Sequence, residues 1–147
     1  MVAFSELSFT VVPFEEGGAL EIEPVVDGRP LSEVIAEFEG ARGWTPDGGY
    51  GGLVPGLIRL GPAVEYWFGA GSPEGRLFVL GCECGEMACW PLAVQLISSG
   101  DTITWQNFEQ PHRPERDYSL ISPLVFDRAA YLAAVLSVAP SFEPPSA

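Results

Sequence analysis

Cys82, Cys84 and Cys89 are the only cysteines of this chain, and they fall within eight positions of the run Gly81-Cys82-Glu83-Cys84-Gly85-Glu86-Met87-Ala88-Cys89-Trp90. Clustered thiols admit three readings. They can hold a metal, exchange disulfides or attack as nucleophiles, or serve as small apolar side chains in a tight turn. Zinc takes four nitrogen or sulfur ligands in a tetrahedron. The run supplies three, and the chain holds one histidine, His112. The candidate metal set is therefore Cys82, Cys84, Cys89 and His112, with zinc as the cofactor it admits.

The spacing bears on each reading. Structural zinc ligands commonly come as C-x-x-C, whereas this run is C-x-C followed by C-x4-C. Side chains two apart on a flat strand lie about 6.6–6.8 Å apart. Sulfurs about 2.3 Å from one zinc must approach to under about 4 Å. Cys82 and Cys84 can share an ion only if the chain curls, which the flanking Gly81 and Gly85 permit. Redox or nucleophilic chemistry needs a depressed thiol pKa, and Glu83 and Glu86 are neighbours of the wrong sign for that. The third reading makes the thiols buried, reduced packing in the turn.

The elements around the run decide which residues can meet it. Residues 92–97 and 102–108 alternate around the turn dipeptide Ser99-Gly100. Leu92, Val94, Leu96, Ile103 and Trp105 share one face of a hairpin, with Gln95, Thr102, Thr104 and Gln106 on the other. The expected register sets Leu96 opposite Ile103 and Val94 opposite Trp105, since a slip of one residue would mix the faces. Extended further, it carries residue 112 across from Met87 and puts Cys89 and His112 on one face. Pro111 and Pro114 end the strand before that point. The set Arg113, Arg116, Asp117, Tyr118 and His112 on this Pro-ordered loop reads as a structural ion-pair corner.

Upstream, residues 6–12 and 19–23 alternate around Glu15-Glu16-Gly17-Gly18, an opening hairpin. Leu31, Val34, Ile35 and Phe38 form one apolar stripe of a short helix over 31–39, with Glu33, Glu37 and Glu39 solvated. Residues 40–56 are Gly- and Pro-rich and read as a surface loop anchored by Trp44 and Tyr50. The run GGYGGLVPG lacks the lysine and Ser/Thr of a phosphate loop. Residues 62–68 lean to helix. Leu77–Leu80 is apolar on both faces, as a central strand is. Asp127 caps a helix at about 128–138, with Phe126 and Tyr131 as its hydrophobic staple. The expected fold is α+β, a mostly antiparallel sheet of hairpins with two or three short helices. Residues 1–139 form its one domain, and 140–147 a frayed tail.

The charge is −13, every cation is an arginine, and residues 1–40 carry nine carboxylates against Arg29. Such a surface repels nucleic acid and anionic membranes. It suits a basic protein partner. The start lacks a cationic signal region, apolar runs fall short of a membrane span, and the odd cysteine count suits a reducing compartment. The expected location is the cytoplasm.

The segments CECGEMACWPL, TWQNFEQPHRPERDYS and PLVFDRAAY resemble a group of bacterial proteins that pair C-x-C-G-x-x-x-C-W with a following T-W-x-x-F-x-Q-P-H-R. The resemblance covers about residues 76–136 and rests on Cys82, Cys84, Gly85, Cys89, Trp105 and Phe108. That group has no assigned activity, so the resemblance implies no role for any residue. No catalytic set emerges from the residues. The expected function is a non-enzymatic protein-interaction module, of inhibitor or immunity type, with a Cys3His zinc site. The alternative is a metal- or thiol-dependent enzyme centred on Cys82, Cys84, Cys89 and His112.

Overall fold

A computed structural model describes residues 3–15, 18–70 and 72–143. Its architecture is α+β, with two antiparallel sheets and three α-helices. The first sheet holds β1 (Leu7–Pro13), β2 (Leu20–Val26) and the short β3 (Arg29–Pro30), paired in that order. The opening hairpin is present, with Leu7 opposite Val26 and Pro13 opposite Leu20. Of its expected turn, Glu16 and Gly17 lie outside the described residues.

Helix α1 (Leu31–Ala41) follows at once. It buries Leu31 and Ile35, while Val34 and Phe38 are half-buried and Glu33 and Glu37 are exposed. One assignment is corrected: Glu39, expected in solvent, is fully buried. Leu31, Ile35 and Glu39 stand at i, i+4 and i+8, so the helix period points all three inward.

The second sheet runs β4 (Tyr50–Gly51), β5 (Arg76–Cys82), β6 (Leu92–Ser99), β7 (Thr102–Glu109) and β8 (Leu124–Asp127). As its two apolar faces require, β5 is central, between β4 and β6. β8 has no clear pattern of its own and is defined by pairing with β7. The β6–β7 hairpin keeps the expected faces, with Leu92, Val94, Leu96, Ile103 and Trp105 all buried. Its register differs by two residues. Leu96 faces Trp105, Ser98 faces Ile103, and Ser99 faces Thr102. The loop residues are thus Gly100-Asp101, not Ser99-Gly100. Gly100 has φ +56°, as the first central residue of a II′ hairpin turn requires. A two-residue slip preserves every face, so alternation alone could not distinguish the registers. A bulge follows: Gln95 faces Gln106, yet Ala93 faces Glu109. Asn107, at φ +52°, is the extra residue, and its Nδ2 donates to Gln95 Oε1 at 2.7 Å.

Helix α2 (Ala63–Trp67) and helix α3 (Arg128–Phe142) pack on each other. Asp127 accepts a hydrogen bond from Ala130 N at 2.9 Å, and the Phe126 and Tyr131 rings lie 5.4 Å apart, so cap and staple are both formed. The expected tail from residue 140 is corrected in part. α3 runs to Phe142, which is buried, and Glu143 accepts a hydrogen bond from Ala63 N. Residues 144–147 lie outside the described residues.

The region 40–56 is also corrected. Residues 50–55 are buried rather than a surface loop. Leu53 exchanges two backbone hydrogen bonds of 2.8 Å with Ile22 of β2, while Tyr50 and Gly51 pair with Cys82 and Gly81 of β5. Gly52 has no room for a side chain, because a Cβ there would lie 2.5 Å from the Ile22 carbonyl oxygen. This strap joins the two sheets and forms the floor beneath the cysteine turn. Among the described residues, no helix is long and apolar enough to cross a membrane.

Candidate metal centre

The cysteine run leaves the sheet where β5 ends. Cys82 is the last strand residue, and Gly85 N donates to Cys82 O at 2.9 Å, closing a turn over 82–85. Glu83 N donates to Gly49 O, tying the turn to the strap. Gly85 has φ +98°, and a Cβ there would lie 2.5 Å from Cζ of the Phe14 ring, so only glycine fits. A 3-10 turn at Met87–Cys89 follows, with Cys89 N donating to Glu86 O at 3.1 Å. These two turns bring the Sγ atoms of Cys82, Cys84 and Cys89 within 4.8 Å of one another. The strand-spacing obstacle vanishes because the chain stops being a strand at Cys82. A further closure of under about 1 Å would reach the sulfur separations of a zinc tetrahedron.

All three thiols are free. Cys82 is half-buried, and Cys84 and Cys89 are exposed. The packing reading, which required buried thiols, is therefore corrected for two of the three. Burial, with hydrogen bonding to Cys84, pushes the Cys82 thiol up to about 12. Cys84 moves the other way, chiefly because Cys82 donates to it, with the Glu86 backbone N–H adding to the effect. The Glu86 charge does oppose this, as its sign requires, but it is the smaller influence. Cys84 N also donates to Cys82 Sγ at 3.3 Å. The turn thus favours the thiolate at Cys84 and the protonated thiol at Cys82.

His112 lies against the same turn without joining the thiol group. Its Nε2 is 2.7 Å from Ala88 O, and its backbone N donates to Gln110 Oε1 at 2.8 Å. A carbonyl only accepts, so Nε2 carries a hydrogen and donates it to Ala88 O. No atom of His112 belongs to the set of ligand atoms lying within 4.8 Å of one another. Trp90, directly after Cys89, donates from Nε1 to Gly48 O at 2.8 Å. The guanidinium carbons of Arg113 and Arg116 sit 5.0 and 5.7 Å from its ring.

Under this turn lies a buried polar network that the sequence reading missed. Glu39 Oε1 accepts from Gly48 N at 2.8 Å, and Oε2 accepts from Tyr50 OH at 2.8 Å and Tyr118 OH at 2.6 Å. Arg116 Nη1 is 3.3 Å from Oε2, with both side chains almost wholly buried, while Nη2 donates to Pro46 O. That Nη1 contact is an ion pair without hydrogen-bond geometry. Gln110, also fully buried, donates to Tyr50 OH at 3.3 Å. Asp117, the acid expected in the ion-pair corner, is exposed and accepts from Ser119 N in a local turn. The acid that pairs is Glu39, from far upstream. Its one sequence signal is its place on the buried stripe of α1.

Burial, then the hydrogen bond to Glu39, pushes the Tyr118 phenol up to about 12, and burial with the Tyr118 and Glu39 bonds raises Tyr50 further still. A raised folded pKa favours the protonated form. Its stabilisation is complete below the unfolded value near 10 and is lost as pH rises through the folded one. These two phenols should therefore lower the melting temperature as pH rises from about 10 toward 12. Thermal melts paired with phenolate absorbance test this, and a melting temperature flat to pH 12 would refute it.

The fold and site together define an α+β domain with a surface group of three thiols that could hold a metal ion. No protein-family model matches this chain, and neither the curated proteins nor the solved structures offer a significant match to it.

Proposed function

We propose that this protein is a non-enzymatic metal-binding interaction module, in which Cys82, Cys84 and Cys89 hold a soft d10 cation, zinc foremost, as thiolates. One observation carries the reading: three free sulfurs lie within 4.8 Å of one another on a turn shaped by two successive tight bends. Thiolate donors select zinc and copper(I) over hard cations. His112 stands by as a neighbouring imidazole, turned to the Ala88 carbonyl. The interaction half of the reading is supported by the net charge of −13 and by the exposed Glu6, Glu15 and Glu33, a field that draws a basic partner.

The test is cobalt(II) titration of the reduced, chelator-stripped protein. Thiolate-to-cobalt charge-transfer absorption should saturate at one ion per chain. Loss of a supporting residue typically costs about 10–100-fold in metal affinity, so Cys84→Ala or Cys89→Ala should cost more than that. Because binding displaces thiol protons, affinity should rise with pH across the neutral range. Absence of the band, with no metal in protein purified without chelator, would overturn the proposal.

A further inference from the structure

We infer that the outward face of α3 is the contact surface of a homodimer, occupied by the same face of a second copy of this chain crossing antiparallel. This goes beyond the metal reading and does not depend on it. Over its 15 residues, α3 buries Tyr131, Val135, Val138 and Phe142 in the core. Its opposite side carries Ala129, Leu132, Ala133, Leu136, Ser137 and Pro140, all exposed. Those positions stand at i, i+3, i+4, i+7, i+8 and i+11, one continuous stripe. A surface helix ordinarily turns charge to water on that side, and a helix apolar all round is ordinarily covered. Here no carboxylate occurs from 128 to 142, in a chain that has 20. Ser137, the one polar member, donates its hydroxyl to Ala134 O of its own helix. Leu136 is 54% exposed and Leu132 36%.

Charge and shape both select a second copy. Two molecules at −13 repel wherever their carboxylates meet, and the stripe lets them approach without one. The stripe is also its own complement. A two-fold axis passing between positions 134 and 135 sets Leu136 against Ala133 of the second copy, Leu132 against Ser137, and Ala129 against Pro140. Each leucine then meets a small residue on both sides of the axis, as an isologous contact requires. Small residues let the helices approach to about 8 Å, with the leucine ridges in the grooves between them. A parallel pair would instead stack leucine on leucine and bring Glu143 to Glu143. The antiparallel pair brings the end that carries Arg128 to the end that carries Glu143, and it opposes the helix dipoles. The helix is about 22 Å long, so one such pair buries less than the ~1,200 Å² at which standard interfaces begin. The dimer is therefore weak and reversible, with a dissociation constant of about 10–100 µM.

The experiment is sedimentation equilibrium of the full chain under reduction, which keeps the thiols from cross-linking copies. The expected result is a monomer–dimer equilibrium in that concentration range. Raising salt from about 0.01 M to about 1 M cuts the screening length from about 30 Å to about 3 Å. It should tighten the dimer about tenfold, because it removes repulsion and leaves the apolar contact in place. Leu136→Lys should leave a monomer at every concentration, with an unchanged thermal melt because position 136 is exposed. That variant also lowers the negative charge, so charge alone would give the opposite result. Leu136→Ala should weaken the dimer about tenfold. Ala133→Leu added to it should restore most of the loss, because large and small then exchange places across the axis. A monomer at all concentrations in high salt overturns the inference, as does association that Leu136→Lys leaves intact or that salt weakens. A monomer that instead takes up an amphipathic Leu/Lys peptide, in a manner lost with Leu136→Lys, would assign the face to a basic partner and overturn it too.

Discussion

Glu39→Ala should destabilise the domain by about 3–5 kcal/mol, the usual cost of removing one partner from a buried ion pair. The substitution leaves the Arg116 guanidinium buried without its carboxylate and strips acceptors from Tyr50 OH, Tyr118 OH and Gly48 N at once. Against a total stability of about 5–15 kcal/mol, this is a large fraction. Glu39→Gln retains an acceptor but not the charge, and should fall between the wild type and alanine. The double variant Glu39→Leu with Arg116→Met removes both charges and should recover part of the loss, because an apolar pair carries no orphaned ion. Urea denaturation measures all three. A loss under about 1 kcal/mol for Glu39→Ala would show that water or rearrangement satisfies Arg116. The strap that Glu39 anchors through Gly48 and Tyr50 also floors the cysteine turn, so the alanine variant should hold cobalt more weakly as well.

Ile35→Asp should leave no cooperatively folded protein. Ile35 is fully buried in the core, on the inward stripe of α1 beside Leu31. The nearest buried charges on that stripe, Glu39 and its partner Arg116, already satisfy each other. An aspartate introduced one turn earlier finds no partner in that satisfied pair and adds repulsion to Glu39. An unpaired buried charge costs more than a domain of this size has in reserve. Far-UV circular dichroism with thermal melting is the readout, and Ile35→Ala is the control, expected to remain folded with a loss of about 2–5 kcal/mol. A soluble Ile35→Asp variant with a cooperative melt would show that α1 packs through another face.

By itself the sequence determined what depends on local period and local chemistry. The α+β class, the opening hairpin, the inward faces of β6 and β7, the Asp127 cap and the Phe126–Tyr131 staple each follow from residues a few positions apart. It also put three thiols within eight positions of one run, which bounds their separation without bringing them together, since seven extended steps still span about 23–25 Å. Tertiary structure decided the rest. The hairpin register moved by two because alternation repeats every two residues, and the positive φ of Gly100, not the pattern, chose the turn. β8 became a strand because β7 offered it an edge. Glu39 looked solvated because a carboxylate is inadmissible in a core until partners arrive from elsewhere. Those partners, Tyr50, Arg116 and Tyr118, come from segments that nothing local ties to α1. The thiols converge because the Cys82–Gly85 and Glu86–Cys89 turns replace a strand, held by Gly49 and made room for by the glycine beneath Phe14. A pattern can report which way a side chain faces, but which distant groups meet it is decided only when the layers close.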